Sequence, residues 1–254
     1  MKPNEQALEY SVIMPAFNEG RHLEENVRQT VAVMEELGKT FEIVVVDDCS
    51  LDNSCSLLQD LAARIPALNP VYLNPNQGKG HALRAGFMQS RGRLVFFLDA
   101  DLELHPRQFA YFLEIMSATG VDVVIGSKRH PESVLHYPWR RRLMSSVYFW
   151  MVKLLFGLPV KDTQTGIKLF RREVLAKAFP KSLVKTYAFD LELLILAHHY
   201  GYRIAEAPVT VEYKAQFGHI RPLDILRILW DTLAIFYRLY LRRYYDRASA
   251  GKAR

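Results

Sequence analysis

Cysteine is nearly missing from this chain: Cys49 and Cys55 stand alone, close together in a polar stretch. Without a second pair there is neither a disulfide framework nor zinc-ligand spacing, and a reducing compartment is the default. The phosphate-loop pattern of nucleotide hydrolases is also missing, so ATP chemistry is not indicated. No GxGxxG follows the first strand-like segment, which argues against a dinucleotide oxidoreductase. Repeats and low-complexity linkers are absent. The amino end is acidic and polar and leads straight into a strand-like segment, unlike a signal peptide. Long uninterrupted apolar runs are lacking too. Leu143 to Val160 is apolar apart from Lys153, but Gly157 and Pro159 break it. Such a stretch reads better as an interfacial or re-entrant helix than as a membrane span.

What remains is ordinary globular material. Of 254 residues, 50% are hydrophobic and 24% charged, enough for one large α/β domain or two small ones. Disorder is expected at the first few residues and over 248–254. The net charge of +6 matters less than its placement. Lys128, Arg129, Arg140, Arg141 and Arg142 face the single acid Glu132 between positions 128 and 142, and a second basic cluster runs from Arg238 to Arg254 against Asp246. Both adjoin apolar stretches. A nucleic-acid binder would more often interleave its basic residues with polar surface; basic beside apolar suits an anionic membrane or lipid, or simply a solvated face.

The first half alternates strand and helix signals. Tyr10 to Met14 reads as a strand stopped by Pro15, Asn18 to Leu37 as a helix, and Phe41 to Val46 as a β-branched strand closed by Asp47-Asp48. Leu57 to Arg64 is helical, Val71 to Leu73 a short strand, Gly80 to Gln89 a helix, and Leu94 to Leu98 another strand. Val121 to Ile125 predicts one more strand. Near-continuous apolar strands separated by helices imply a mostly parallel sheet covered on both faces. Ligands bind such sheets at the carboxyl ends of the strands, where the polar motifs lie. From 223 to 242, Asp224, Arg227, Asp231, Arg238 and Arg242 align on one narrow helical stripe, leaving the rest of the circumference apolar. Such a helix packs on the domain or half sinks into a bilayer; its charges argue against crossing one.

Asp99 and Asp101 follow the strand Leu94 to Leu98, one residue apart. Extended chain sends alternate side chains to one face, so the two carboxylates can converge on Mg²⁺ or Mn²⁺; Asp pairs also cap helices and make turns. Gly78-Lys79-Gly80 at a helix start offers free N–H groups, a positive dipole end and an ammonium for phosphate, or only a glycine turn. Asp47-Asp48 can hold a base or ribose, or Asp48 and Ser50 simply cap the next helix.

In order, Val12-Ile13-Met14-Pro15-Ala16-Phe17-Asn18-Glu19, Val46 to Asp52, Asn76 to Gly80 and Asp99-Ala100-Asp101 resemble the family 2 glycosyltransferases. Gly126-Ser127-Lys128, Asp162 to Arg171 and Phe189-Asp190-Leu191-Glu192 narrow the resemblance to dolichyl- or polyprenyl-phosphate sugar transferases, over about residues 10 to 215. The resemblance implies an α/β nucleotide-diphospho-sugar transferase fold of the GT-A type. The catalytic domain would span 8–215, with a possible interfacial helix over 143–160. An amphipathic membrane-associating segment would follow over 216–247, and then the tail 248–254. Some relatives carry further carboxy-terminal spans, for which this chain ends too soon. By the same resemblance, Pro15, Ala16, Asn18, Glu19, Asp47, Asp48, Gly78, Lys79 and Asp99 bind the nucleotide-sugar donor. Asp99 and Asp101 serve the metal–diphosphate site, with Glu103 where relatives often have Gln or Ser.

Lys128 stands where many relatives have Arg; Lys128, Arg129, Arg140 and Lys168 are candidates for the acceptor phosphate. Asp162, Asp190 and Glu192 join Asp99, Asp101, Lys128 and Arg129 as candidate catalytic residues, or pair structurally with Lys168 or Arg171. The implied reaction is inverting transfer of a hexose from UDP-glucose to a polyprenyl or dolichyl phosphate, by a peripheral or monotopic enzyme on the cytoplasmic face of a membrane. GDP-mannose as donor, a soluble or polysaccharide acceptor, and a non-enzymatic nucleotide-sugar binding subunit are the alternatives. Nucleic acid is not an expected partner.

Overall fold

The computed structural model describes residues 8–135, 139–186, 188–211 and 222–247, without the side chains of 139–146 and 222–225. Its centre is a seven-stranded sheet. The first strand, β1 (Tyr10–Ala16), pairs in parallel with β2 (Phe41–Asp47) on one side and β4 (Leu94–Phe97) on the other. Beyond β2 lies β3 (Leu68–Tyr72), and beyond β4 lies β7 (Lys168–Arg171), which runs antiparallel to both its neighbours. Next come β5 (Val123–Ser127) and β8 (Ile204–Pro208), parallel to each other, giving the order β3-β2-β1-β4-β7-β5-β8. A small ribbon pairs β6 (Val134–Leu135) with β9 (Thr210–Val211).

Strand composition explains this sheet. Ile43 to Val46 and Val95 to Phe97 are β-branched or aromatic and almost fully buried, as expected of strands covered on both faces. Helices α1 (Leu23–Glu36), α2 (Ser54–Arg64) and α4 (Phe109–Thr119) cover one face through Leu23, Val27, Leu58, Leu61, Phe109 and Phe112. The other face is covered by α3 (Lys79–Gln89), α6 (Arg172–Ala178), α7 (Phe189–His199) and α5 (Trp139–Phe156), with Phe87, Val174, Leu194 and Phe156 in its core. The expected mostly parallel α/β sheet with helices on both faces is therefore present.

Element boundaries differ where backbone chemistry overrides pattern. Pro15 does not stop β1 but pairs with Val46, and the strand continues to Ala16. The first helix begins at Leu23 rather than Asn18, because Asn18 turns the chain with φ of 58°. Gly157, at φ of 63°, follows the end of α5, so that Leu158 and Val160 fold back into the core.

The last helix, α8 (Pro222–Phe236), continues into one wide π turn, Tyr237–Leu241. Two charges of its stripe meet the domain: Asp231 accepts a hydrogen bond from Thr186 at 2.8 Å, and Arg238 lies 3.3 Å from buried Glu192, while Arg227 and Arg242 are exposed. Ile235 packs in the core, and other apolar side chains of the segment face outward. Leu226, Trp230, Leu233, Tyr237 and Leu241 are exposed, and Val147, Trp150 and Leu154 of α5 are exposed likewise. The segment 212–221 and the tail 248–254 lie outside the described residues. Among the described residues no helix is long and apolar enough to cross a membrane.

Candidate active site

The chain leaves β1 for β2 on one side and later returns to place β4 on the other. A crevice opens at the carboxyl ends of two strands whose connections diverge in this way. Here it is a cavity of about 210 Å³ lined by Pro15, Ala16, Phe17, Glu19, Asp48, Lys79, Ala82, Asp99, Ala100 and Asp101. Four segments far apart in sequence meet there. A larger cavity of about 470 Å³, lined by Phe156, Ile195, His198 and Arg243 among others, lies at the far end of α7 and carries none of the expected site residues.

Two loops that shape the smaller cavity are laced together. The Asn18 N–H donates to Ser50 Oγ at 2.9 Å, the Leu51 N–H to Asn18 Oδ1 at 2.7 Å, and the Gly20 N–H to Asp52 at 2.9 Å. Asn18 thus holds the loop after β2 and is not among the residues lining the cavity. Asp48 is buried and accepts the N–H of Gln77 at 2.8 Å and of Gly78 at 2.7 Å. It fixes the glycine loop with one carboxylate while bordering the cavity. Asp47 is buried as well. One of its oxygens accepts the Ser50 N–H at 3.3 Å, whereas Oδ1 has no hydrogen-bond partner, an arrangement that polar groups in protein interiors generally avoid.

Gly78 adopts φ of 90°, and a Cβ there would sit 2.9 Å from the Lys185 carbonyl oxygen. Lys79 follows at the first position of α3, and its Nζ lies 2.6 Å from Asp99 Oδ1. Burial alone would lower the lysine's pKa; Asp99, Asp190 and Asp101 overcome it and raise it. For Asp99, burial pulls upward, but Lys79, with Lys168 and Lys128, outweighs it and holds the carboxyl below the ordinary range. Both side chains are more than a third exposed, at 37% and 38%, so this charged pair opens onto the cavity. Gly166 makes room for it: a Cβ there would lie 2.1 Å from Asp99 Oδ2.

Asp101 lies at the lip and accepts the Glu103 N–H at 3.0 Å. Among the described residues, no three His, Cys, Asp or Glu side chains converge as a metal cluster. Glu103 is instead 3.6 Å from Lys128, and burial raises its pKa despite that lysine. Like Asp99 with Lys79, the expected third ligand has a lysine beside it in this structure. Asp99 and Asp101, which border the cavity, still fit a hard cation, since Mg²⁺ or Mn²⁺ at nucleotide sites takes one or two protein carboxylates and completes its shell with phosphate and water.

Beyond the cavity, Asp162 accepts the N–H groups of Lys128 and Gln164, each at 3.0 Å, while Glu206 holds the N–H groups of Lys161 and Asp162. Asp162 shapes the loop that carries Lys128. The Arg129 guanidinium stands 4.9 Å over the Phe149 ring. The side chain of Arg140 lies outside the described residues.

Two sequence expectations are corrected by burial. Lys168 is 1% exposed and bound to Asp190 at 2.7 Å and to the Thr165 carbonyl, with no route to a lipid phosphate. Glu192 is fully buried and accepts the Leu183 and Val184 N–H groups and the Tyr245 hydroxyl; it is not a group that touches substrate. Asp190, paired with Lys168, acts on the cavity electrostatically through Lys79. Sequence reasoning passed over Phe17, Ala82 and Ala100 in the lining and the loop-holding Glu206. Phe17 and Ala100 belong to the motifs, but Glu206 carries no local signal.

Sheet order, switch-point cavity and carboxylate–lysine pair together define a GT-A type fold. Residues 11–179 match the family described as Glycosyl transferase family 2, and the chain belongs to that family. It is 34% identical over 210 residues to a dolichyl-phosphate beta-glucosyltransferase of Trichomonas vaginalis, covering 78% of this chain and 62% of the relative. It is 39% identical over 165 residues to an undecaprenyl-phosphate 4-deoxy-4-formamido-L-arabinose transferase of Pseudomonas aeruginosa, covering 65% of this chain and 47% of that one. This chain thus spans roughly half to two thirds of the length of these curated relatives. The glucosyl-3-phosphoglycerate synthase of Mycobacterium tuberculosis, solved with Mn²⁺, UDP-glucose and phosphoglyceric acid, shares the fold at a TM-score of 0.67 and 20% identity, over 96% of this chain and 82% of that one.

Proposed function

We propose that the chain transfers a hexose, with inversion, from UDP-glucose to a polyprenyl or dolichyl phosphate at a membrane surface, with Mg²⁺ or Mn²⁺ held by Asp99 and Asp101. The observation that carries this reading is the Asp99–Lys79 pair opening into the switch-point cavity, with Asp101 at its lip. A divalent ion there neutralises charge on a departing diphosphate. Lys79, at the amino end of α3, adds an ammonium and the helix dipole to the same task. Asp48 keeps the glycine loop closed around that position. The acceptor oxygen of a phosphate monoester is already anionic near neutral pH, so displacement at the anomeric carbon needs no strong general base. It needs cationic positioning, which Lys128 and Arg129 supply from the neighbouring loop.

The lipid acceptor is supported by the relatives and by the outward apolar faces of α5 and α8, which carry Trp150 and Trp230. Aromatic and leucine side chains flanked by Arg and Lys are what an interfacial helix presents to a bilayer. An isoprenoid resists leaving that bilayer, since burying each CH₂ contributes roughly 0.8 kcal/mol, and the enzyme must work at the surface.

The direct test incubates the protein and Mn²⁺ or Mg²⁺ with radiolabelled UDP-glucose, GDP-mannose or UDP-N-acetyl sugars and polyprenyl phosphate. Label from UDP-glucose entering the organic phase supports the reading. Label from GDP-mannose alone corrects the donor. Transfer only to water-soluble acceptors overturns the lipid assignment.

A further inference from the structure

We infer that Glu192 is a positioning residue: it ties the carboxy-terminal segment to the Gly78-Lys79-Gly80 loop, so that the helix with the outward apolar face and the lysine in the donor cavity are held as one mechanical unit. The inference rests on the reading of that loop as the donor-diphosphate site.

The ties form a continuous path. On one side, the irregular stretch Lys181 to Thr186 is fastened to the carboxy-terminal segment at three points. Lys181 Nζ donates to the Arg247 carbonyl, and Thr186 Oγ1 donates to Asp231 at 2.8 Å. Between them, Glu192 Oε2 accepts the Leu183 and Val184 N–H groups at 2.7 and 2.8 Å, while Oε1 accepts the Tyr245 hydroxyl at 2.5 Å and faces Arg238 at 3.3 Å. On the other side, the same stretch touches the glycine loop. The Gly80 N–H donates to the Lys185 carbonyl at 3.0 Å, and a Cβ at Gly78 would press on that oxygen at 2.9 Å. Phe189, three residues before Glu192, packs so closely on Gly80 that a Cβ there would be 2.5 Å from its ring. Lys79 sits between the two glycines and reaches Asp99.

A carboxylate with no solvent exposure is tolerable only when its lone pairs are filled and a cation compensates its charge. Glu192 meets that condition only with the carboxy-terminal segment in place, because the Tyr245 hydroxyl fills one oxygen, the Arg238 guanidinium 3.3 Å away compensates the charge, and the loop amides fill the other oxygen. Loss of the carboxy-terminal partners therefore loosens the amides, and the Lys185 carbonyl moves with them. A carboxylate that served only to anchor α7 would have no such reach.

Tyr245→Phe removes one hydroxyl and keeps the buried ring; Thr186→Val cuts the separate tie to Asp231; Tyr244→Phe is the control, since Tyr244 does not touch Glu192. Hydrogen–deuterium exchange on the full chain is read together with the KM values for UDP-glucose and polyprenyl phosphate. Expected for Tyr245→Phe is faster exchange both at 183–186 and at 77–81, with the UDP-glucose KM raised about tenfold and the acceptor KM little changed. Thr186→Val shifts the same quantities by a smaller factor, and Tyr244→Phe shifts none. Faster exchange confined to 183–186 and the carboxy-terminal segment, or a fall in thermal stability without change at 77–81, overturns the coupling. Faster exchange at 77–81 with unchanged donor KM upholds the coupling and refutes the loop as the donor site.

Discussion

Gly166 leaves a gap that Asp99 fills: any side chain there would start 2.1 Å from Asp99 Oδ2. Gly166→Ala is expected to displace the carboxylate and lower transfer about 100-fold, because misplacing a reacting group by an ångström is costly even when folding survives; steady-state kinetics beside a melting curve separate the two. Lys168 gives the opposite pattern. Removing its ammonium by Lys168→Ala strands Asp190 and should cost about 3–5 kcal/mol of stability, read from the denaturant midpoint, whereas an acceptor-binding lysine would raise KM and leave the midpoint alone. His81 makes a pH prediction. Burial, then Lys185 and Arg84, lower its pKa against the opposing pull of Asp48. The folded state thus binds the proton later than the unfolded chain. This contribution to stability is complete above about pH 6.5 and is lost as pH falls through the lowered folded value. His81→Asn should flatten that part of a stability–pH curve measured with urea.

At the scale of elements, the parallel strands β1 to β4 and their helices were legible because each carries its own period and punctuation. Asp99, Asp101, Asp48 and Lys79 were legible for the same reason: they close buried strands or open a helix. Antiparallel β7 was not, since Lys168 to Arg171 is short and holds a buried lysine whose partner, Asp190, is far along the chain. Glu192 misled because a carboxylate in a motif looks alike whether it faces a substrate or a buried tyrosine. The stripe on α8 was visible, but not its direction. Asp231 and Arg238 meet Thr186 and Glu192, whereas Arg227, Trp230 and Leu233 are exposed. Trp230→Glu combined with Trp150→Glu is expected to weaken sedimentation with anionic vesicles at least about tenfold, since each buried aromatic contributes a few kcal/mol. Unchanged sedimentation would place the bilayer contact elsewhere. Donor binding should stay intact, because neither tryptophan lines the cavity.

Across the whole molecule, one sheet joins β1 to β4, whose carboxyl ends border the cavity, to a half that carries Lys128 and Asp162 on the loops after β5 and before β7. Membership of glycosyl transferase family 2 rests on the match over residues 11–179. The choice of donor and acceptor depends on whether Asp99, Asp101 and Lys79 together receive a metal-bound diphosphate. Calorimetric titration of UDP into the full chain, with and without Mn²⁺, tests this most directly when repeated on Asp99→Asn. Binding that needs Mn²⁺ in the wild type and falls at least about tenfold in the variant is expected. Equal binding in the absence of metal, or in Asp99→Asn, would contradict the assignment of this cavity.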